Sequence, residues 1–338
     1  MLKKLSWAVL ILLTILMIIY WDLITYGFQQ AKGQLEITFN TIPVEEVLKD
    51  TTVADSIKQK IKIIQETRLF AFDKLGLQKS ENYTSFYNQE GEVSLWNLSA
   101  SQRYALEPKL WTLPFLGSFP YKGFFDLDRA KNEMQELKEG GYDVRIRPVS
   151  GWSTLGWTSD PILSNMLARS EGALAELIIH ELTHSTIFVK DQIELNENLA
   201  SFIGEQGAIQ FLNEKYGKNS ASYFEYILSE DDSKTFRNQM LLATDKLDSL
   251  YQSLEGADDS VKAVNKHIMI DRIISSIDTL HFHDSRYYQI FNSSRPNNAY
   301  FMSFLRYYSS KDSLKTIFVK DFNYDLKAFI QGMKDYHK

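Results

Sequence analysis

The 338-residue chain has no cysteine, which excludes disulfide staples, thiol catalysis and a lipid-modified N-terminal cysteine. Histidine is scarce, with six residues in all, so two of them at metal-binding spacing would be a poor fit to accident. There is no excess of positive charge either. Lys and Arg number 37 against 43 Asp and Glu, for a net charge of -6 and a pI near 5.6. That balance offers no electrostatic footprint for nucleic acid. Internal repeats and low-complexity tracts are also missing. What the chain does have is 44% hydrophobic residues, enough to bury a large core as one big domain or two small ones.

The N-terminus carries a location signal. Lys3 and Lys4 precede an apolar run over residues 5–21, and a second apolar patch follows Asp22 at residues 23–26. The first run is slightly shorter than the ~20 residues that span a bilayer, and the second can extend it. Trp21 and Tyr26 suit a membrane–water interface. No small-x-small cleavage site follows, which favours an uncleaved signal-anchor over a signal peptide. The expectation is a single-pass transmembrane helix over residues 1–27. Lys3 and Lys4 would stay cytoplasmic, leaving residues 28–338 on the extracytoplasmic, periplasmic side.

The strongest chemical signal is His180-Glu181-Leu182-Thr183-His184, followed by Asn196-Glu197 and Ala200. On a helix, residues four apart lie one above the other, so both imidazoles can reach one metal ion. Glu181 lies between them, where a carboxylate can take a proton from an activated water. The spacing of Leu174, Leu177, Ile178 and Glu181 predicts a helix from about Ser170. A catalytic zinc site needs three protein ligands and an open position. Glu197 is the obvious third ligand, with Glu194 and Glu205 open as alternatives on neighbouring faces of the next helix, expected over about 195–212. The metzincin pattern is absent, because Ile187 and Lys190 stand where its glycine and third histidine would be. Ala200, Ser201, Gly204 and Ala208 form a small-residue stripe on the Glu197 face, which would let two helix backbones approach closely. Ser201 could hydrogen-bond a ligating imidazole, or serve only as a small packing residue.

Around this centre, residues 31–110 read as a mostly helical lead-in, with one helix opening at Ile42-Pro43-Val44 and another over about 56–75, stopped by Gly76. The Pro/Gly/aromatic-rich stretch 111–125 is a poor helix, better suited to a packed loop or irregular strand. Asp126 caps a helix ending at Gly140-Gly141, and Val144, Ile146 and Val149 read as a short strand. That strand and the following loop to Trp157 could hold an extended peptide by its edge, or simply be core. Residues 228–284 read as a helical hairpin that covers or flanks the site. His281 and His283 form an exposed polar turn in preference to a second metal pair, since no further ligand lies at zinc-like spacing.

Several blocks resemble a family of bacterial proteins named as aminopeptidases with an H-E-x-x-H site. They are Tyr26-Gly27-Phe28-Gln29-Gln30-Ala31-Lys32-Gly33-Gln34-Leu35, Pro120-Tyr121-Lys122-Gly123-Phe124-Phe125, and Ser153-Thr154-Leu155-Gly156-Trp157 with Asp160-Pro161. The H-E-x-x-H block through Asn196-Glu197-Asn198-Leu199-Ala200 and the late Asn297-Asn298-Ala299 complete the set. The resemblance implies a zincin-type metallopeptidase with Glu as third ligand, the gluzincin arrangement. The expected fold is α+β and predominantly helical, with an active-site helix and a small sheet. Many relatives carry an N-terminal lipoprotein cysteine and another near the position of Ser118. This chain has neither, which leaves a helix as its anchor. Its interval from His184 to Glu197 is also shorter than in well-known gluzincins.

The function expected is hydrolysis of peptide bonds in a peptide or protein substrate, with Zn2+ as cofactor and Glu181 as general base and then acid. An aminopeptidase is favoured, and an acidic group such as Glu194 or Glu205 could meet the free amine. Tyr121 and Tyr300 are candidates for substrate contact, with a structural role the favoured reading of each. The alternatives are a membrane-anchored metalloendopeptidase and a non-catalytic, zinc-stabilised protein that binds a peptide or envelope partner.

Overall fold

The computed structural model describes residues 2–113, 117–149, 159–308 and 311–337. The described residues are predominantly helical, with three small sheets among them. In the first sheet Ser85–Tyr87 runs between Ile42–Pro43 and Ile162–Leu163, antiparallel to one and parallel to the other. In the second, Trp96–Gln102 is central, antiparallel to both Lys122–Phe124 and Tyr142–Pro148. The third is a hairpin of Trp111–Leu113 with Gly117–Phe119.

Local signals place most helices where expected. Ser170 caps Glu171–His184, its Oγ accepting from the Ala173 amide at 3.4 Å. Asp126 caps Leu127–Glu139 by accepting from the amides of Asp128 and Arg129, and Gly141 follows its end at φ +85°. The helix Asp55–Asp73 is followed by Gly76 at φ +75°, a left-handed conformation that glycine adopts without steric cost. The hairpin consists of Ala221–Ser253 and Asp259–Ser276, so its first helix begins seven residues before residue 228.

The sheet content corrects the helical reading of residues 76–110, where Ser85–Tyr87 and Trp96–Gln102 are strands. Their partners are remote in sequence. Leu98 lies opposite Ile146 and Phe86 opposite Ile162, contacts to which local periodicity is blind. The stretch 111–125 resolves into short strands on either side of residues 114–116, which lie outside the described residues. The loop 151–157, which sequence suggested as part of a peptide-binding edge, lies outside them too.

The N-terminus also differs from expectation. Leu2–Ile19 and Trp21–Phe39 form two helices bent by 74° at Tyr20. Among the described residues no single helix is long and apolar enough to cross a membrane, although the bent pair passes that test together. The expected boundary at residue 27 therefore falls inside the second helix. The reason is packing: Tyr26 is buried, donates its hydroxyl to the Gly123 carbonyl at 2.8 Å and meets Phe124 edge to face. Gly33 lies flat against Phe125, and Ile37 joins the main core. Residues 23–26 thus belong to a helix docked on the folded body.

The main core holds the centre of the molecule. Leu174, Ile178 and Leu182 of the motif helix Glu171–His184 are fully buried, as are Ile203, Ala208 and Leu212 of Ile193–Tyr216. Those two helices pack at close range. A Cβ on Gly204 would lie 3.0 Å from the Glu176 carbonyl and 3.2 Å from the His180 Cβ, and one on Gly207 would meet Ile179 at 2.9 Å. A branched side chain cannot fit there without parting the backbones. Gly204→Val is expected to destabilise the protein by about 1–3 kcal/mol through overpacking. Urea unfolding checks this, and an unchanged midpoint would show that the helices separate freely.

Candidate functional site

The site is built where those two helices face each other. His180 and His184 lie one turn apart near the end of the motif helix, with Nε2 atoms 3.2 Å apart. Glu197, in the first turns of Ile193–Tyr216, places Oε2 3.5 Å from His180 Nε2 and 3.7 Å from His184 Nε2. All three side chains are largely buried. Among the described residues these form the one group of three or more His, Asp or Glu side chains whose donor atoms converge, each within 4.8 Å of the others.

The donor set fits a zinc ion on distance and chemistry. Tetrahedral zinc with ligands at ~2.0–2.1 Å holds neighbouring donors roughly 3.3 Å apart. Two imidazoles and a carboxylate also form one of the ligand sets that catalytic zinc uses. The three side chains are also coupled through their own charges. Burial disfavours an ionised Glu197, yet hydrogen bonds and charge from His180 and His184 keep its carboxyl well below the usual range. Burial likewise opposes charge on His184, but Glu197, with Glu181 adding, holds its pKa above the ordinary value.

A short connection sets the register between the helices. The chain leaves the motif helix after His184 and re-enters a helix at Ile193, with Asp191 at φ +60°. Asn196 closes this turn with its amide. Its Oδ1 accepts from the Val189 amide and its Nδ2 donates to the Val189 carbonyl, both at 2.8 Å. The residue before Glu197 therefore holds the loop that positions Glu197. Asn198 reaches the other way, donating to the Arg306 carbonyl at 2.8 Å.

Around the donors opens a cavity of about 700 Å³. Glu181, Ser201, Tyr121 and Tyr300 all line it. Ser201 makes no hydrogen bond to either imidazole among the described residues. Glu194 and Glu205 do not join the donor group. Glu194 is exposed, and the Glu205 carboxylate faces Arg237 at 3.7 Å. His281 and His283 are exposed, with His283 beside Asp231 at 3.4 Å.

The cavity also gathers groups that sequence reasoning missed. Glu176, one turn before His180, accepts a hydrogen bond from Tyr226 at 3.0 Å. Its i, i+4 spacing to His180 was a usable signal. Arg169 lines the wall in the field of Glu176 and Glu181. Tyr307 accepts from Arg147 Nη2 at 3.3 Å. Burial raises its phenol pKa, with Glu197 and Glu181 adding to the rise, so the hydroxyl keeps its proton. Tyr121 behaves alike, raised by burial and by Glu197, with the Arg306 guanidinium 5.4 Å from its ring centroid. Behind Glu181, the Tyr83 hydroxyl is buried with no hydrogen-bond partner among the described residues. No local pattern marks these tyrosines among the 18 in the chain.

Fold and site together define a helical α+β protein with a cavity built around a three-donor cluster and an adjoining carboxylate. The chain belongs to the family described as "Putative aminopeptidase", whose match covers residues 25–338. That name suggests peptidase activity. No curated protein and no solved structure matches the chain in the same comparisons.

Asn196→Ala removes both amide bonds to Val189 and frees the turn before Glu197. The expected loss is about 1–3 kcal/mol of stability. Thermal unfolding measures the effect. An unchanged midpoint would show that the turn holds its shape without the amide.

Proposed function

We propose that this protein is a zinc-dependent peptidase of zincin-like, gluzincin type that acts as an aminopeptidase. The observation that carries the proposal is the convergence of His180, His184 and Glu197 at ligand spacing beside Glu181. In this reading the two Nε2 atoms and the Glu197 carboxylate hold Zn2+. When bound, zinc supplies a Lewis acid that polarises the scissile carbonyl and eases loss of a proton from water. Glu181 accepts that proton as general base and delivers it to the leaving amine as general acid. Tyr307, kept protonated by burial and by the carboxylates around it, donates a hydrogen bond to the oxygen that gathers negative charge. Tyr121 and Tyr300 contribute walls for the substrate.

Glu176 favours an aminopeptidase over an endopeptidase. A free amino terminus needs an acidic partner, and Glu194 and Glu205 lie away from the donors. Glu176 is the third carboxylate of the cavity lining, after Glu181 and Glu197. It stands one helical turn from His180, on the same face of the motif helix.

The N-terminal segment supports a place at the membrane. Leu5, Ile11 and Ile18 are among the exposed apolar residues of the first helix, a surface that water disfavours. With Lys3 and Lys4 on the cytoplasmic side, the folded part would be extracytoplasmic. Full-length protein is expected to float with liposomes, and a variant lacking residues 2–19 to stay in the soluble fraction. Equal flotation of the two would remove the anchor from the proposal.

Metal content and peptide cleavage, compared between wild type and Glu181→Gln, test the chemistry. About one zinc per chain is expected in both, with cleavage reduced by about a hundred- to ten-thousandfold in the variant. Products should form a ladder shortened from the amino terminus, whereas internal cuts would make the enzyme an endopeptidase. Zinc in both with cleavage by neither would favour a zinc-stabilised binding protein. Absence of zinc from both would overturn the metal site.

A further inference from the structure

The cavity wall carries three arginines beside its three carboxylates. Arg145, Arg147 and Arg169 all line it. Arg169 lies in the field of Glu176 and Glu181, whereas the titratable neighbours of Arg145 are Tyr300 and Arg147. Arg145 and Arg147 are two residues apart on the edge strand Tyr142–Pro148, so the pleat places them on one face. Asn97, opposite Arg147 in the register, lines the cavity as well. The other face, with Leu98, Ala100 and Val144, is buried with Ala130 and Leu137 of the helix Leu127–Glu139. The strand therefore turns its apolar side to that small core and its two arginines to the cavity.

Their neighbours are aromatic. The Arg145 guanidinium lies 4.6 Å from the Tyr300 ring centroid, and Arg147 donates one hydrogen bond to the Tyr307 hydroxyl. The nearest acid on the strand, Asp143, is committed to Lys266 at 2.5 Å and to the Asn298 amide at 2.8 Å. Among the described residues neither arginine forms an ion pair, and the residues outside the description include no Asp or Glu. Burial and the like charge of Arg147 both lower the Arg145 pKa, while Tyr300 opposes the shift. Half-buried charge without a counter-charge costs free energy unless a ligand supplies one. Each guanidinium has five N–H donors in a fork that matches a carboxylate, and these aromatic partners occupy few of them.

The geometry points to Arg145 and Arg147 as a carboxylate-binding subsite of the cavity, selecting peptides that carry an acidic group away from the bond to be cut. This rests on the peptidase reading of the same cavity and names its substrate class. The carboxylate is either the C-terminus of a short peptide or an Asp or Glu side chain. Tyr307 joins the subsite to the reacting centre, because it contacts Arg147 and lies in the field of Glu197 and Glu181. A carboxylate held by Arg147 would thus fix the peptide relative to Glu181.

Calorimetric binding to full-length Glu181→Gln protein tests this without turnover. Three matched tetrapeptides serve as probes: one with a Gln side chain and an amidated C-terminus, one with the same sequence and a free C-terminus, and one with Glu in place of Gln and an amidated C-terminus. One of the two acidic peptides is expected to bind about ten- to a hundredfold more tightly than the neutral one. Which of them does so identifies the source of the carboxylate. Adding Arg145→Gln or Arg147→Gln should bring that ratio close to one, whereas Arg145→Lys and Arg147→Lys should retain part of it. A purely structural role would lower the melting temperature and leave the ratio intact. Equal or absent binding of all three peptides, or a ratio that survives both Gln variants, overturns the subsite. Binding needs neither bound metal nor cleavage, so failure of the peptidase reading would appear in the zinc and cleavage assays and not in these ratios.

Discussion

The close contact between Glu171–His184 and Ile193–Tyr216 is the constraint on which the rest of the site depends. Gly204 lets the second helix approach until its backbone meets the Glu176 carbonyl and the His180 Cβ, and Gly207 does the same against Ile179. Glu197 is seven residues before Gly204, two turns along the same face. Close packing at the glycines therefore carries its carboxylate to the two imidazoles. The short turn between the helices leaves little slack, and Asn196 takes up what remains with its two bonds to Val189. Burial of Leu174, Ile178, Ile203 and Leu212 behind this contact makes it rigid. The donor spacing is thus a consequence of core packing, and the polar cluster inherits its precision from apolar neighbours.

A second layer of polar contacts ties the distant parts of the cavity together. Asn298 is fully buried, donates to the carbonyls of Gln102, Arg103 and Ala105, and accepts from Tyr251. Its own amide donates to Asp143, which also pairs with Lys266. Asn297 donates to the Val144 carbonyl on the edge strand. These bonds anchor the helix Asn298–Tyr308, which carries Tyr300 and Tyr307, to the strand that carries Arg145 and Arg147. They also take up part of the free strand edge, so a peptide lying along that strand would meet side chains at Asn297 as well as open backbone. The hairpin helix Ala221–Ser253 flanks the motif helix through Tyr226, whose ring covers Gly172 and whose hydroxyl holds Glu176.

Much of the centre was legible in the amino-acid sequence. The H-E-x-x-H spacing, the Ser170 cap and the small-residue stripe through Gly204 are local patterns, and local patterns are what helical periodicity encodes. The helix over 127–139 and the hairpin turn at Gly256 were legible for the same reason. The strands at 85–87 and 96–102 were not, because their partners lie far along the chain. The N-terminal bend was hidden too. Hydropathy reads residues 5–26 as nearly continuous, while the docking of Tyr26 against Gly123 and Phe124 turns the second helix onto the folded body.

The sequence by itself determined that His180, Glu181, His184 and Glu197 lie on two neighbouring helices, because their spacing needs only helical geometry. It put Glu197 forward as the third donor and kept Glu194 and Glu205 open as alternatives. Tertiary structure decided among their positions, bringing Glu197 to the histidines, leaving Glu194 exposed and setting Glu205 against Arg237. It also decided the walls of the cavity. Glu176, Arg145, Arg147 and Tyr307 come from a helix, an edge strand and a late helix, so no periodic pattern links them. Their chemistry exists only once long-range packing has brought them to one place.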